Sequence, residues 1–292
     1  MAAERDNAGS DKTGSSSLTP PRRHRISLEG GGQHVELVQC GEGSPVFYLH
    51  GLLGCEGDPL VAELAKRRQV VAPLIPGYGA STGGEELADM HDLVIYYLEI
   101  LDRLGLRDLP LVGHSLGGMF AAELAAAAPE RFSHLVLLAP FGLWDDSEPT
   151  FDFFAASPQE QARAFYSDVD SEGALALAKA PVEAATEVDP ATVEGRALID
   201  NLVERAKTMM SAARFLWPIP NRGLSRRLYR LTMPTLVVWG ANDGVIPPSY
   251  ASRFAEAMRG CKIVVIPEAS HMLSEERPHD VAREILTLID PL

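Results

Sequence analysis

Residues 109–118, Leu-Pro-Leu-Val-Gly-His-Ser-Leu-Gly-Gly, decide how this chain is interpreted. A short apolar run ends at Gly113, and an Ala-rich segment with the composition of a helix begins at Leu116. A serine between small residues in this context is typical of a sharp, strained turn that exposes the Ser115 hydroxyl at a helix N-terminus. Backbone N–H groups and the helix dipole favour developing negative charge there. The stretch therefore predicts a nucleophilic serine at the carboxyl end of a strand.

Short apolar runs alternate with helix-like segments on both sides of this turn. The runs lack polar alternation, which is typical of parallel strands buried on both faces. They cover residues 46–49, 69–73, 109–112, 135–138, 235–239 and 262–266. Helices are expected over residues 58–67, 85–104, 116–128, 248–258 and 279–288. This alternation predicts an α/β fold with a doubly wound, mostly parallel sheet, in which functional groups gather at the carboxyl ends of the strands.

Composition divides the chain into four segments. Residues 1–25 are rich in Ser, Gly, Asp and Arg and offer little to bury, which predicts a disordered tail. Residues 26–143 and 231–292 carry the signatures of the core. Residues 144–230 lack a buried-strand signature and show helical patterns over 158–167, 172–180 and 191–215. We therefore expect a helical cap inserted between core strands, with some of its aromatic and Met side chains lining a pocket.

Several motifs together resemble those of the α/β-hydrolase family. The turn at Ser115 matches the family's G-x-S-x-G nucleophile elbow. Further matches are the oxyanion loop at residues 50–54, the P-G-[FY]-G-x-S segment at 76–81, the acid-bearing loop at 239–247 and the histidine loop at 268–271. The resemblance extends from residue 26 to residue 292 and implies the α/β-hydrolase fold with a serine nucleophile.

The resemblance also implies a catalytic triad, because Ser115, Asp243 and His271 follow the family's order of nucleophile, acid and histidine. A serine hydroxyl is a weak nucleophile at neutral pH, so it needs a base such as His271. Asp243 would hold the imidazole in the required tautomer. The backbone N–H groups of Leu52 and Leu116 are the best candidates for the oxyanion hole.

Other residues near these motifs have competing roles. Asp145 and Asp146 follow the strand that ends at Ala139-Pro140, a position that some family members use for the acid, but Asp243 has the better strand-loop context. Cys55 is expected to be a small buried or pocket-wall residue, not a nucleophile. The substrate pocket is expected to include His50, Gly51, His114, Trp144 and Met272.

Composition also limits the partners. The 292 residues include 26 Lys and Arg against 40 Asp and Glu, a net charge of −14, so nucleic-acid binding is not expected. The three cysteines lack the spacing of a disulfide framework or a metal motif. Neither a membrane span nor a secretory signal is encoded, which predicts a cytoplasmic protein. No cofactor or metal is implied, and the expected partner is a small molecule.

A serine at the elbow favours acyl transfer, whereas relatives that open epoxides or displace halide carry Asp there. The sequence therefore predicts a hydrolase, resembling carboxylesterases, that acts on an ester of a small or medium apolar acyl substrate. One alternative is the branch of the family that cleaves a carbon–carbon bond in meta-cleavage products. That branch typically has Asn before the nucleophile and Trp after the histidine, where this chain has His114 and Met272. Another alternative is a small-ligand receptor that retains the triad.

Overall fold

The computed structural model describes residues 20–29, 32–179, 188–217, 219 and 223–290. Within these residues, eight strands form one sheet in the order β1-β2-β4-β3-β5-β6-β7-β8. Strands β3 to β8 run parallel, and β2 is antiparallel to both β1 and β4. The strands are β1 (Arg22–Ser27), β2 (His34–Cys40), β3 (Pro45–Leu49), β4 (Gln69–Pro73), β5 (Leu109–His114), β6 (Phe132–Leu138), β7 (Thr235–Gly240) and β8 (Lys262–Ile266). The predicted α/β class with a mostly parallel sheet is confirmed.

Helices cover the sheet and connect its parallel strands. Those described are α1 (Pro59–Ala65), α2 (Met90–Arg103), α3 (Ser115–Ala127), α4 (Pro158–Phe165), α5 (Glu172–Ala178), α6 (Val193–Leu216), α7 (Tyr250–Ala257), α8 (Leu273–Glu276) and α9 (Pro278–Ile289). Local capping sets some of their starts. The Asp89 carboxylate accepts the N–H groups of His91 and Asp92, so α2 begins at Met90 and not at the predicted residue 85.

Burial follows the position of each strand in the sheet. Every residue of β5 and β7 is buried, as expected for central strands covered on both faces. The expectation that β8 is buried on both faces is wrong, because Lys262, Ile263 and Val265 are exposed. Strand β8 lies at one edge of the sheet, so its side chains have fewer neighbours.

At the opposite edge lies β1, which the sequence analysis did not predict. The predicted disordered tail over residues 1–25 is wrong for residues 22–25, which belong to this strand, while residues 1–19 lie outside the described residues. Strand β1 exposes most of its side chains and is held by backbone pairing with β2. Arg23 adds ion pairs to Glu36 at 3.2 Å and Glu56 at 2.7 Å. Hydrophobic patterning could not detect such a strand.

The segment between β6 and β7 has no strand among its described residues, 139–179, 188–217, 219 and 223–234. It contains α4, α5 and α6 together with short 3₁₀ turns. We refer to residues 144–230 as the insertion. Its limits, and the domain boundaries derived from them, stay predictions.

The crossing of α3 over β3 and β5 leaves no space for side chains. A Cβ atom at Gly117 would lie 2.2 Å from the Leu49 carbonyl oxygen and 2.4 Å from that of His50. A Cβ atom at Gly113 would lie 2.7 Å from the Cβ of Ala121. Only glycine therefore allows α3 to start directly against the carboxyl ends of these two strands.

We expect Gly117→Ala to lower the free energy of unfolding by about 3 kcal/mol, because the added methyl group meets rigid backbone carbonyls. Gly105→Ala is the matched control, since Gly105 has open space around its Cβ position and only its positive φ of 64° opposes the substitution. The control should lose about 1 kcal/mol. Urea unfolding of the two variants measures the difference, and equal losses would contradict the argument from space.

Candidate active site

Ser115 lies at the junction of β5 and α3. Its φ of +56° places a residue with a side chain in the left-handed region, which is costly without supporting contacts. One such contact is made by the backbone N–H of Phe141, which donates to the Ser115 carbonyl at 3.1 Å. Ser115 is the first residue of α3, and its hydroxyl is within hydrogen-bond distance of His271.

The side chains of Ser115, His271 and Asp243 form a hydrogen-bonded relay. Ser115 Oγ is 2.7 Å from Nε2 of His271, whose Nδ1 is 2.9 Å from Oδ2 of Asp243. An ionised carboxylate can only accept, so Nδ1 of His271 carries the proton and Nε2 is free to accept the Ser115 proton. The other Asp243 oxygen, Oδ1, accepts the N–H groups of Val245 and Ile246, each at 2.9 Å. All three side chains are buried.

The loop that carries His271 is bonded to the insertion on both sides of the histidine. The Ser270 hydroxyl donates to the carbonyl of Ala164 at 3.0 Å, and the Met272 N–H donates to that of Phe165 at 3.0 Å. Both acceptors lie at the end of α4. The position of the imidazole therefore depends on where α4 ends.

Glu276, the last residue of α8, strengthens this connection. Its Oε2 accepts the N–H of Ser270 at 2.6 Å, and its Oε1 accepts that of Ser167 at 2.7 Å. One carboxylate thus bridges the residue before His271 and the residue that follows α4 by two positions. The sequence analysis missed Glu276, and only its place in the turn after the histidine loop could have indicated it.

His114 is hydrogen-bonded to the same loop. Its Nε2 donates to the backbone carbonyl of His271 at 2.9 Å, because a carbonyl can only accept. Burial, with a smaller effect of the neighbouring His271 charge, lowers the pKa of His114 to about 3. The ring is therefore neutral near pH 7, and it positions the His271 backbone without exchanging a proton.

His50 lies under the oxyanion loop. Its Nε2 accepts the N–H of Ile75 at 3.0 Å, and its Nδ1 donates to the carbonyl of Gly51 at 2.8 Å. Burial lowers the pKa of His50 to about 4, and the ring packs against Tyr78 with 4.8 Å between centroids. With both nitrogens bonded to backbone, His50 holds the loop against Ile75, and its place in the substrate pocket stays a prediction.

The oxyanion-hole candidates belong to two segments that border the nucleophile. A Cβ atom at Gly51 would lie 3.3 Å from the Cβ of Ser115, so the loop passes directly beside that side chain. Leu52 follows, and its carbonyl accepts the Tyr78 hydroxyl at 2.9 Å. Leu116 lies in the first turn of α3, where backbone N–H groups have no acceptor within the helix.

Aromatic rings surround His271. The centroids of Phe165 and Phe141 lie 5.3 and 5.8 Å from that of the imidazole, and Phe153 contacts both rings. The sequence analysis did not single out Phe141, although its place just after β6, at the carboxyl edge of the sheet, could have indicated it. These buried rings give the relay an apolar boundary.

Other predicted residues lie elsewhere. Asp145 pairs with Arg253 and accepts from Ser147, and these hydrogen bonds hold its pKa below the ordinary value. Asp146 accepts the indole N–H of Trp144 at 2.7 Å. In the part of the chain that the structure describes, neither carboxylate is hydrogen-bonded to His271, and Trp144 makes no ring contact with it.

Cys55 directly follows the oxyanion loop and does not contribute to the relay. It lines a separate pocket with Cys40, Val38 and Val61, and burial raises its pKa to about 12. The thiol is therefore protonated near neutral pH, which is unfavourable for a nucleophile.

Among the described residues, no three or more His, Cys, Asp or Glu side chains are grouped as a metal site requires. None of the described helices has both the length and the hydropathy needed to cross a membrane.

Comparison with known proteins assigns the chain to a family. The model of the alpha/beta hydrolase fold family matches residues 44–278, and the chain belongs to that family. This confirms the resemblance predicted from the motifs.

Individual relatives share 30% or less of their sequence with this chain. The chain is 30% identical over 272 residues to the dihydrolipoyllysine-residue acetyltransferase component of an acetoin cleaving system from Pseudomonas putida, over 89% of this chain and 68% of that protein. It is 24% identical over 281 residues to a 2-hydroxy-6-oxo-6-(2'-aminophenyl)hexa-2,4-dienoic acid hydrolase from Metapseudomonas resinovorans, over 90% and 89% of the two chains. Among solved structures, a membrane phospholipase A described as a bacterial virulence factor has the same fold, with a TM-score of 0.74 at 19% identity over 92% of this chain and 86% of that one.

The buried neutral histidines predict a pH dependence of stability. His50 and His114 have folded-state pKa values of about 4 and 3, below the ordinary value of 6.5. As the pH falls below 6.5, the unfolded chain takes up protons at these positions and the folded chain does not, so stability is lost. Each histidine should contribute a loss of about 1.4 kcal/mol per pH unit between pH 6 and its folded-state pKa, and nothing above pH 7.5.

Urea unfolding between pH 7.5 and 4.5 measures this slope. His114→Gln places an amide donor near the His271 carbonyl but cannot titrate, so its slope should be shallower than that of the wild type by about 1.4 kcal/mol per pH unit. The exposed His91 provides the control, because His91→Gln should leave the slope unchanged. A wild-type slope in His114→Gln would contradict the assignment.

Proposed function

We propose that this protein is a serine hydrolase that cleaves carboxylic esters of small or medium apolar acyl groups through an acyl-enzyme. The observation that carries the proposal is the buried relay from Ser115 through His271 to Asp243, with hydrogen bonds of 2.7 and 2.9 Å. Membership of the alpha/beta hydrolase fold family supports hydrolytic chemistry. The roles of the individual residues below are part of the proposal.

In the first half-reaction, Ser115 Oγ attacks the ester carbonyl carbon while Nε2 of His271 takes the hydroxyl proton. Asp243 stabilises the resulting imidazolium through Nδ1. The N–H groups of Leu52 and Leu116 hold the oxyanion of the tetrahedral intermediate. Its collapse breaks the bond to the alcohol oxygen, which leaves with the proton from Nε2, and the acyl group stays on Ser115.

In the second half-reaction, water attacks the acyl carbonyl carbon and gives one proton to Nε2 of His271. The second tetrahedral intermediate collapses by breaking the bond to Ser115 Oγ. That oxygen recovers the proton from Nε2, and the carboxylic acid is released. The cycle consumes one ester and one water, and it returns all three side chains to their starting protonation states.

The surroundings of the relay support an apolar acyl group. The rings of Phe141, Phe153 and Phe165 are buried and form an apolar wall beside His271. Ser115 is only 1% exposed, so a substrate at its hydroxyl is surrounded by protein. Exclusion of water strengthens the electrostatic stabilisation of the oxyanion.

The same relay could also cleave a carbon–carbon bond, and the similarity to a dienoic acid hydrolase favours this as the second candidate function. His114 and Met272 stand where that branch typically has Asn and Trp. His114 uses its ring to donate to the His271 carbonyl, so it contributes to the loop and not to a substrate contact in this structure.

Hydrolysis of p-nitrophenyl acetate and butyrate tests the first candidate. Ser115→Ala and His271→Ala should each reduce kcat by about 10³-fold or more with the fold intact, and Asp243→Asn should reduce it by about 10⁴-fold because the imidazole then adopts the wrong tautomer. Asp145→Asn and Asp146→Asn are matched controls that should retain activity.

Four outcomes would contradict the proposal or its assignments. Wild-type turnover no faster than that of Ser115→Ala would reject ester hydrolysis, and loss of activity in Asp145→Asn would reject Asp243 as the acid. A dienoate ring-cleavage product that is turned over faster than either ester, as measured by the loss of its yellow colour, would favour the second candidate. A rise in melting temperature with such compounds but no turnover would favour a ligand receptor.

A further inference from the structure

A pocket of about 260 Å³ lies between the oxyanion loop and the insertion. Leu52 and Leu53 form one wall, and Phe165 and Leu177 contribute from the insertion. Phe165 also contacts His271, with 5.3 Å between ring centroids. The pocket therefore adjoins the relay through the two residues that flank it, the oxyanion-hole candidate Leu52 and the aromatic ring beside the base.

Arg205 of α6 brings a positive charge into this otherwise largely apolar space. Its Nη2 donates to the side-chain oxygen of Gln161 at 2.7 Å, and its Nη1 donates to the Leu177 carbonyl at 3.4 Å. A guanidinium has five N–H donors, so these two uncharged acceptors leave three without an acceptor among the residues that the structure describes. Among the described residues, no carboxylate oxygen lies within 4.0 Å of its nitrogens.

The one carboxylate on the pocket lining does not compensate this charge. Glu204 is exposed, and its carboxylate is 2.7 Å from Nζ of Lys207. Arg205 itself is half-buried, and burial lowers its pKa because the charged form loses water. A cation in such surroundings is unfavourable unless an anion pairs with it.

We propose that Arg205 binds an anionic group, a carboxylate, at the far end of the substrate's acyl chain. This inference rests on the proposed function of Ser115. The apolar side chains of Leu52, Phe165 and Leu177 suit the hydrocarbon part of such a chain, and the planar guanidinium suits a carboxylate in a bidentate arrangement. The substrate is then an ester whose acyl part is apolar in the middle and acidic at the end.

Two series of esters test this. One consists of p-nitrophenyl monoesters of dicarboxylic acids from succinic to adipic acid, and the other of p-nitrophenyl esters of the unbranched monocarboxylic acids with the same number of carbons. At the best chain length, we expect the wild type to favour the acidic ester by about 10- to 100-fold in kcat/KM. Arg205→Gln should remove this preference while neutral-ester turnover stays within about threefold, and Arg205→Lys should retain part of it.

Arg196→Gln is the matched control. It makes the same substitution on the same helix, but Arg196 is exposed and does not line this pocket, so the preference should persist. A wild type without preference at any length would overturn the proposal. So would an Arg205→Gln variant that lowers kcat/KM equally for both series, because that result assigns Arg205 to holding α6 against Gln161 and Leu177.

If neither series is hydrolysed, the proposed function fails, and binding still decides the role of Arg205. Calorimetric titration of the Ser115→Ala protein with monomethyl adipate and with methyl hexanoate compares an acidic with a neutral chain. Tighter binding of the acidic ester that disappears in Ser115→Ala/Arg205→Gln supports the anion site. Equal binding of the two compounds, or a preference that survives the second substitution, overturns it.

Discussion

The structure of the site depends on one steric constraint, the close approach of α3 to the carboxyl ends of β3 and β5. At Gly117 the helix comes so near that a Cβ atom would lie 2.2 Å from the Leu49 carbonyl oxygen. This approach allows β5 to turn into α3 within one residue, and that residue, Ser115, adopts a φ of +56°. A helix displaced by even about 1 Å would move the hydroxyl out of reach of His271, since its 2.7 Å hydrogen bond has little tolerance.

The same edge of the sheet carries two further residues with left-handed backbones. Ala139 follows β6 with a φ of +40°, and Glu268 follows β8 with a φ of +52°. Such conformations cost about 1 kcal/mol or more for residues with a side chain, so three of them, after β5, β6 and β8, require support from surrounding contacts. Some of that support is visible, because Phe141, two residues after Ala139, donates its N–H to the Ser115 carbonyl. Left-handed backbones therefore lie at the same edge of the sheet as the candidate site.

The sequence was informative where hydrophobic burial or a glycine-dependent turn left a pattern. It predicted strands β3 to β8 and the grouping of Ser115, Asp243 and His271. Buried apolar runs and the motifs that follow them can be recognised in the sequence alone. It missed β1, whose side chains are mostly exposed and whose stability comes from backbone pairing that no pattern records. It also missed β2, which is mostly buried but whose apolar run is interrupted by Glu36 and Gln39. It also missed Glu276, because a carboxylate that bridges two backbone segments is recognised only when both segments are placed.

Those bridging contacts couple the insertion to the position of His271. Hydrogen bonds join the end of α4 to the loop that carries His271, and they connect Ala164, Phe165 and Ser167 with residues 270–276. A movement of α4 that exposed the buried Ser115 would therefore also displace the imidazole. Helix α6 is different, because its buried residues lie mainly near its C-terminal end, at Ala212, Phe215 and Leu216. The earlier part of α6, which carries Arg205 and borders the pocket beside Leu52, is instead joined to α4 by the hydrogen bond from Arg205 to Gln161, so a displacement of α4 would be transmitted to it as well.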